Sequence, residues 1–402
     1  MSNIPQCILL MGSGGHTHLL YQALLQARCL QAAIEYYPEW RLVTPQGVLR
    51  HIPLYRHVVH WMWALWRRLP YWGQFEHPRT WHFALYDWLA SRHFPEDAQL
   101  LWAWSGTSLY TMRKAQHRGI PIFLEFPAPH PRFWNRIAFS IYQQDIFSSG
   151  KFGILPESLI RRQVAEIELA DRIVVLSSFA RTTMIDEGVP PQKLTVLPLG
   201  TDPALFTPSN RLSRKPFRVL YVGRIDPLKG IHLLLKAWKA LNFPYAELWL
   251  VGNILPEMKG ILAQYEGTFR YLGAIPHHEL PPIYQQATLL VFPTLMDSFG
   301  LVLVEAMASG LPIIATTTSA APDLLQEGLI PPNEIESLMK ALELFYKHPE
   351  LEEIGRANRA TVLRNYTLQH YYNRVAELLS QAISLVPKEG KGRGRLLPHR
   401  QV

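Results

Sequence analysis

The sequence predicts an α/β protein built from two doubly wound parallel-sheet domains. Three observations carry this. Strand-length apolar runs alternate with stretches of helical periodicity along most of the chain. Its 402 residues exceed what one core usually serves. A polar stretch carrying Pro203, Pro208 and Pro216 interrupts the alternation at residues 200–216 and reads as a linker.

In the first half, residues 7–11 form an apolar run that ends at glycines, with a helical pattern at 17–27. Strands are expected at 100–104, 121–126, 172–176 and 194–197, and helices at 109–116 and 159–169. The second half reads more clearly. Strands are expected at 217–222, 246–251, 269–272, 287–292 and 312–315. Helices are expected at 228–241, after Pro227, and at 277–286 and 334–346. A helix opened by Phe299-Gly300 should stop at Gly310. The expected organisation is a first domain over 1–205, a second over 206–365, and a helix at 366–386 returning to the first. A basic disordered tail, with Lys388, Lys391, Arg393, Arg395 and Arg400, occupies 387–402.

Composition is that of a globular protein, and a 48% hydrophobic share leaves ample core material. Two cysteines, Cys7 and Cys29, imply no disulfide framework and suit a reduced compartment. The first apolar run has strand length and no basic flank, so it does not read as a signal peptide. No uncharged apolar stretch approaches the roughly 20 residues that cross a bilayer. The net charge of +8 suits an anionic substrate, anionic lipid or nucleic acid. No zinc spacing or nucleic-acid motif supports the last. Ten of the twelve tryptophans lie in the first third. The segment His57 to Trp72, with Trp61, Trp63, Trp66, Arg67 and Arg68, reads as an interfacial helix, a stacking platform for sugars, or an unusual piece of core.

Several loops at strand carboxyl ends carry chemistry. Asp297 follows the strand at 287–292, and Glu305 lies one to two turns into the next helix. The free N–H groups at Gly300 and Leu301 favour an anion. Glu305 is too acidic for phosphate but suits a pair of sugar hydroxyls. An anion site beside a hydroxyl site describes a nucleotide sugar; a capped helix with a solvated glutamate is the competing reading. Arg224 and Lys229 follow the strand at 217–222, where a planar fork and a mobile point charge suit phosphate oxygens. Two solvated cations are the alternative. Gly12-Ser13-Gly14-Gly15-His16 is a glycine-rich turn between a strand and a helix, a weak signal on its own. His130 follows the strand at 121–126. No carboxylate cluster with metal-ligand spacing stands at a strand end.

In order along the chain, these motifs resemble those of the retaining glycosyltransferases of family 4, which have the two-domain GT-B fold. Gly223-Arg224, Lys229-Gly230, Leu250-Val251-Gly252, Tyr271-Leu272-Gly273 and the Asp297–Glu305 pair, with Phe299-Gly300 between, look like its donor-site motifs. Glu125 to Pro131, Ala165 to Ser178 and Leu197 to Phe206 resemble upstream segments of that family. The resemblance spans roughly residues 100–350. Two departures stand out: Thr316 to Pro322 replaces a glycine pair, and Leu329-Ile330-Pro331-Pro332 is a shortened donor loop.

The resemblance implies two Rossmann-like domains facing each other across a cleft, the first setting acceptor choice and the second donor choice. It implies transfer of a sugar from a nucleotide-diphosphate donor to a glycan or lipid-linked glycan, with retention, no metal and no cofactor. Gly14, Gly15, Gly223, Arg224, Lys229, Phe299, Gly300, Leu301 and Glu305 would bind donor. His130 would position donor sugar or acceptor, and Asp297 would hold sugar hydroxyls. A cytoplasmic enzyme, attached at its periphery to an anionic membrane surface, is expected. The competing readings are a nucleotide-sugar epimerase on the same fold and a non-catalytic nucleotide-sugar-binding protein.

Overall fold

A computed structural model describes residues 5–10, 16–34, 49–50, 78–143, 153–209 and 216–382. The glycine turn with Gly14 and Gly15, the His57–Trp72 segment and the tail from 387 lie outside the described residues.

Two parallel sheets organise the chain. The first has seven strands: β1 (Cys7–Leu10), β2 (Leu30–Ile34), β3 (Leu49–Arg50), β4 (Leu100–Trp104), β5 (Ile122–Glu125), β6 (Arg172–Val175) and β7 (Leu194–Val196). Their order is β3-β2-β1-β4-β5-β6-β7. The second has six: β8 (Phe217–Val222), β9 (Ala246–Val251), β10 (Arg270–Tyr271), β11 (Leu289–Phe292), β12 (Ile313–Thr316) and β13 (Leu329–Ile330). Their order is β10-β9-β8-β11-β12-β13. Every strand pair with a recorded register is parallel. The central strands β1, β4, β11 and β12 are buried along their whole length, because helices cover both faces of a parallel sheet.

Fourteen helices are described: α1 (Thr17–Gln26), α2 (Pro78–Arg92), α3 (Leu109–His117), α4 (Pro131–Tyr142), α5 (Glu157–Leu169), α6 (Ser178–Asp186), α7 (Ile231–Leu241), α8 (Pro256–Ala263), α9 (Pro281–Gln286), α10 (Leu301–Ala308), α11 (Ala321–Leu324), α12 (Ile335–Lys347), α13 (Leu351–Asn365) and α14 (Leu368–Ala382). Three expected elements differ from their readings. The helix expected at 228–241 starts only at Ile231, after a 3₁₀ turn at Pro227–Lys229 and a left-handed Gly230. The strand expected at 269–272 shrinks to two exposed residues at the sheet edge. The helix expected at 277–286 divides into a 3₁₀ turn, His277–Glu279, and α9. Pro281 causes the division, since it lacks the N–H a continuous helix needs and is tolerated only at a new helix start.

By contacts the chain divides into two compact units. One holds Met1–Phe126, Pro156–Val174 and Tyr372–Val402; the other holds Pro127–Leu155 and Val175–Tyr371. In the first unit a buried charge network ties three helices together. Asp87 of α2 accepts from the N–H groups of Tyr110 and Thr111 on α3, and pairs with Arg162 of α5. Glu166 accepts the N–H groups of Gly106 and Ser108, joining α5 to the loop after β4. Burial pushes the Glu166 carboxyl up to about 7, against the pull of Arg162 and those N–H donors.

In the second unit one core gathers Val219, Tyr221, Leu234, Leu250, Val291 and Ile314 from its sheet and α7. Ala138 and Ile141 of α4 are part of that core. Trp134 of α4 donates to the Gly153 carbonyl at 2.5 Å, and Asn135 bonds Leu155 through both ends of its amide, pinning the segment that follows.

Candidate functional site

In the six-stranded sheet, the chain leaves β8 toward β9 and β10, then returns to β11 on the other side. The crevice outside the carboxyl ends of β8 and β11 is therefore a topological switch point, where open α/β sheets bind ligands. The loops after these two strands carry most of the expected site residues.

After β8 the backbone turns at Gly223, with φ +145°. A Cβ on Gly252, at the end of β9, would lie 1.9 Å from the Gly223 carbonyl oxygen, so two strand ends meet here without side chains. The Tyr221 hydroxyl donates to the Arg224 carbonyl at 2.8 Å. Asp226, wholly buried, caps a 3₁₀ turn at Pro227–Lys229: its Oδ1 accepts the Lys229 N–H at 3.2 Å. Its Oδ2 accepts from Arg224 Nε at 2.6 Å. One carboxylate thus fixes both the cation before it and the turn after it.

After β11, Asp297 reaches back to this loop. Its Oδ2 is 2.5 Å from Lys229 Nζ, and its Oδ1 accepts the Phe299 N–H at 3.0 Å. The Asp297 N–H donates to the Thr318 carbonyl at 2.8 Å. The hydroxyls of Thr316 and Thr318 both donate to the Thr294 carbonyl. The threonine segment that replaces the glycine pair thus braces the Asp297 loop. Phe299 is buried, and Gly300 takes φ +84° as the N-cap of α10. A Cβ on Gly300 would lie 2.9 Å from the Phe292 ring. The Leu303 N–H donates to the Gly300 carbonyl at 2.9 Å, so the N–H groups of Leu301 and Val302 precede the first bond of α10 and form the positive end of that helix.

Glu305 belongs to a separate cluster on the same helix. Its Oε2 accepts from the Tyr284 hydroxyl and its Oε1 is bonded to His277 Nε2, both at 2.8 Å. Phe206 packs edge-on against both rings. The bond to Glu305 raises the His277 pKa above the usual imidazole value, burial opposing it. Glu305 is only 3% exposed, whereas the His277 side chain is 64% exposed. His277 therefore covers the carboxylate from the solvent side.

The sequence reading missed His277, Tyr284 and Asp226. Only Asp226 had a legible signal: an acid just before Pro227 is an N-cap pattern. His277 and Tyr284 reach Glu305 through tertiary packing that no spacing encodes.

His130 is the N-cap of α4 and is buried. Its Nδ1 accepts the Arg132 N–H at 3.3 Å, so the ring proton is on Nε2. The Thr183 hydroxyl accepts the His130 N–H at 3.0 Å, and Glu187, paired with Arg136, lies 3.9 Å from Nδ1. Burial lowers the His130 pKa to about 4, Glu187 opposing and the neighbouring arginines adding to the shift. The ring is neutral near pH 7, which fits a positioning group and not a proton donor.

The structure thus joins Arg224, Lys229, Asp297 and Phe299 by direct bonds, with Gly223 and Gly300 shaping their loops. Glu305 and His130 stand in bonding networks of their own. Among the described residues no three His, Cys, Asp or Glu side chains converge as a metal site.

Two doubly wound parallel sheets of this size and order define the GT-B class. Sucrose-phosphate synthase from Thermosynechococcus elongatus superposes with a TM-score of 0.67 at 20% identity, over 94% of this chain and 99% of that one. Anabaena HepE, solved in complex with UDP and glucose, superposes with a TM-score of 0.66 at 18% identity, over 94% and 100% of the two chains. Residues 205–361, which carry all of the β8 and β11 loops, match the family of glycosyl transferases group 1.

Among curated relatives, an MMP alpha-(1->4)-mannosyltransferase from Mycolicibacterium hassiacum is 29% identical over 248 residues, 57% of this chain and 60% of that protein. A D-inositol 3-phosphate glycosyltransferase from Corynebacterium glutamicum is 31% identical over 200 residues, 43% and 48% of the two. The matches therefore span about half of each relative's length.

Proposed function

We propose that this chain is a glycosyltransferase that moves a sugar from a nucleotide-diphosphate donor to a glycan or lipid-linked glycan, with retention at the anomeric carbon. The observation that carries the reading is the linked set Arg224, Asp226, Lys229 and Asp297 beside the positive end of α10, at the switch point of the second sheet. Breaking the donor's glycosidic bond places negative charge on a diphosphate. Arg224 and Lys229 are held by acids until a diphosphate arrives, and its oxygens then compete for their N–H groups. Lys229 exchanging Asp297 for phosphate frees that carboxylate to accept sugar hydroxyls. Glu305 accepts ribose hydroxyls when His277 gives way.

No strong base is needed, because the departing phosphate can take the acceptor's proton. His130 positions a substrate through its Nε2–H. The two cations supply the charge that a metal would otherwise supply, so we infer metal independence. The His57–Trp72 segment and the basic tail are the features that would hold the protein to an anionic membrane surface.

The test is turnover. The full chain, offered UDP-, GDP- and ADP-sugars with a mixed glycan acceptor pool, should release nucleoside diphosphate from at least one donor. Release should persist in excess chelator. A donor that is bound but never turned over would favour the non-catalytic reading, and a loss restored by magnesium or manganese would end the metal-independent one.

A further inference from the structure

The two donors on Glu305 are held very differently. Tyr284 sits in α9, wholly buried, with Phe206 edge-on to its ring. Burial and the neighbouring carboxylate push its hydroxyl pKa well up, so it stays a donor through the neutral range. His277 stands on the three-residue 3₁₀ turn before α9, and residues 276–279 are all exposed. Two backbone bonds close that turn, from the Glu279 N–H to Pro276 and from the Leu280 N–H to His277. Besides its bond to Glu305, the imidazole meets the edge of Phe206, with centroids 5.4 Å apart. Rotation of the His277 side chain into water therefore uncovers Glu305 Oε1 without moving a helix, while Tyr284 keeps its bond to Oε2.

The charge that acts on this imidazole is Glu305, which favours the protonated ring. On the same turn His278 and Glu279 face each other at 3.4 Å in solvent. Helix α9 contributes the Tyr284 hydroxyl. Behind Phe206, the Arg359 guanidinium of α13 is taken up by the Phe206 and Ala308 carbonyls. An imidazolium bonds a carboxylate more strongly than a neutral imidazole or a sugar hydroxyl does, because both partners carry charge. A ribose hydroxyl competing for Oε1 thus displaces neutral His277 more easily than charged His277.

We propose that His277 is a displaceable cover that ties donor affinity to pH: its imidazolium holds Glu305 closed, and a ribose must expel it to reach the carboxylate. Linkage sets the sign. Pairing raises the His277 pKa in the free protein, and expulsion into water returns it to about 6.5. Donor binding then releases a proton at pH values between those two. Affinity is full above the raised value, falls as pH drops through it, and levels off below about 6.5. The cover rests on the donor reading above.

Calorimetric titration of the full chain with UDP-glucose, GDP-mannose and ADP-glucose, from pH 8.5 to 6, tests it. These sugar nucleotides carry no phosphate that titrates in that range. For whichever donor binds, Kd should rise at least about threefold as pH falls across it, with a proton released to the buffer near pH 7. His277→Gln keeps a neutral donor on Glu305 and should lose that rise. His277→Ala removes the cover and should bind at pH 6 at least about threefold more tightly than wild type. In proton NMR of the free protein, the ring signal that His277→Gln removes should titrate above the ordinary imidazole value and return toward it when donor is added. A wild-type Kd that ignores pH, or a rise that persists in His277→Gln, overturns the cover and leaves the donor reading standing. No binding of any donor at any pH defeats the donor reading, and the cover with it.

Discussion

Glu305 is held by two protein donors, Tyr284 and His277, yet each carboxylate oxygen keeps a lone pair for a further donor. Glu305→Gln preserves shape but removes the charge that strengthens hydroxyl bonds. The variant should fold, bind UDP at least tenfold more weakly, a loss of about 1.4 kcal/mol, and lose preference for UDP over its 2′-deoxy form. Titration of both nucleotides checks this; unchanged affinity and preference would leave Glu305 as a structural anchor for α9. His130 gives a prediction in pH. Its folded pKa of about 4 lies below the ordinary imidazole value, so its contribution to stability is complete above about pH 6.5 and is lost as pH falls toward 4. His232, buried and lowered to about 4 as well, acts in the same direction. His130→Asn keeps an N-cap acceptor without a titrating ring. Urea unfolding between pH 7 and 4.5 should show a flatter decline for this variant; an identical slope would mean that His130 does not carry it.

At the scale of elements, legibility followed burial. Strands β4, β8 and β9 begin and end where expected, because β4 is apolar and buried throughout and β8 and β9 are apolar and buried over their last four residues. Helices α2, α4 and α13 left weaker traces. Helix α2 mixes Trp81, Phe83, Tyr86 and Trp88 around its circumference, and its one buried acid, Asp87, makes sense only once Arg162 is beside it. Helix α13 is mostly polar, and it packs through Gly355, where a Cβ would come within 2.0 Å of the Gly310 carbonyl.

The site loops were legible for another reason: glycines mark close approaches. Gly230, at φ +67°, would place a Cβ 2.0 Å from the Pro293 carbonyl oxygen. That oxygen belongs to the segment leading to Asp297, so Gly230→Ala should push the two loops apart. We expect a loss of more than about 1 kcal/mol of stability from strain at that φ. Donor turnover should also fall by at least tenfold. A variant with wild-type turnover would show that the spacing of the two loops is not critical.

For the whole molecule, the sequence conveyed two doubly wound sheets because the strand–helix alternation repeats on both sides of one polar stretch. It did not convey α4's place in the core of the second unit, since that packing joins Ala138 and Ile141 to strands far along the chain. Net charge and the Trp-Arg segment make membrane attachment a whole-molecule question. Each basic residue near an anionic surface adds about 1 kcal/mol, and buried tryptophan rings add apolar area. The protein should sediment with anionic vesicles at low salt, and partly remain bound as salt rises. Recovery wholly in the supernatant with anionic and neutral vesicles alike would return those tryptophans to core or sugar-stacking roles.

The central claim is that the loops after β8 and β11 hold a nucleoside diphosphate through Arg224 and Lys229. Calorimetric titration of the full chain with UDP and GDP, before and after the paired substitution Arg224→Ala/Lys229→Ala, measures it directly. Charge-assisted bonds are worth about 1.5–3 kcal/mol each, and both cations have acidic partners to leave, so a loss of at least about 2 kcal/mol is expected, roughly thirtyfold in Kd. The account predicts that loss in a variant that still unfolds cooperatively. Unchanged affinity in such a variant would contradict it.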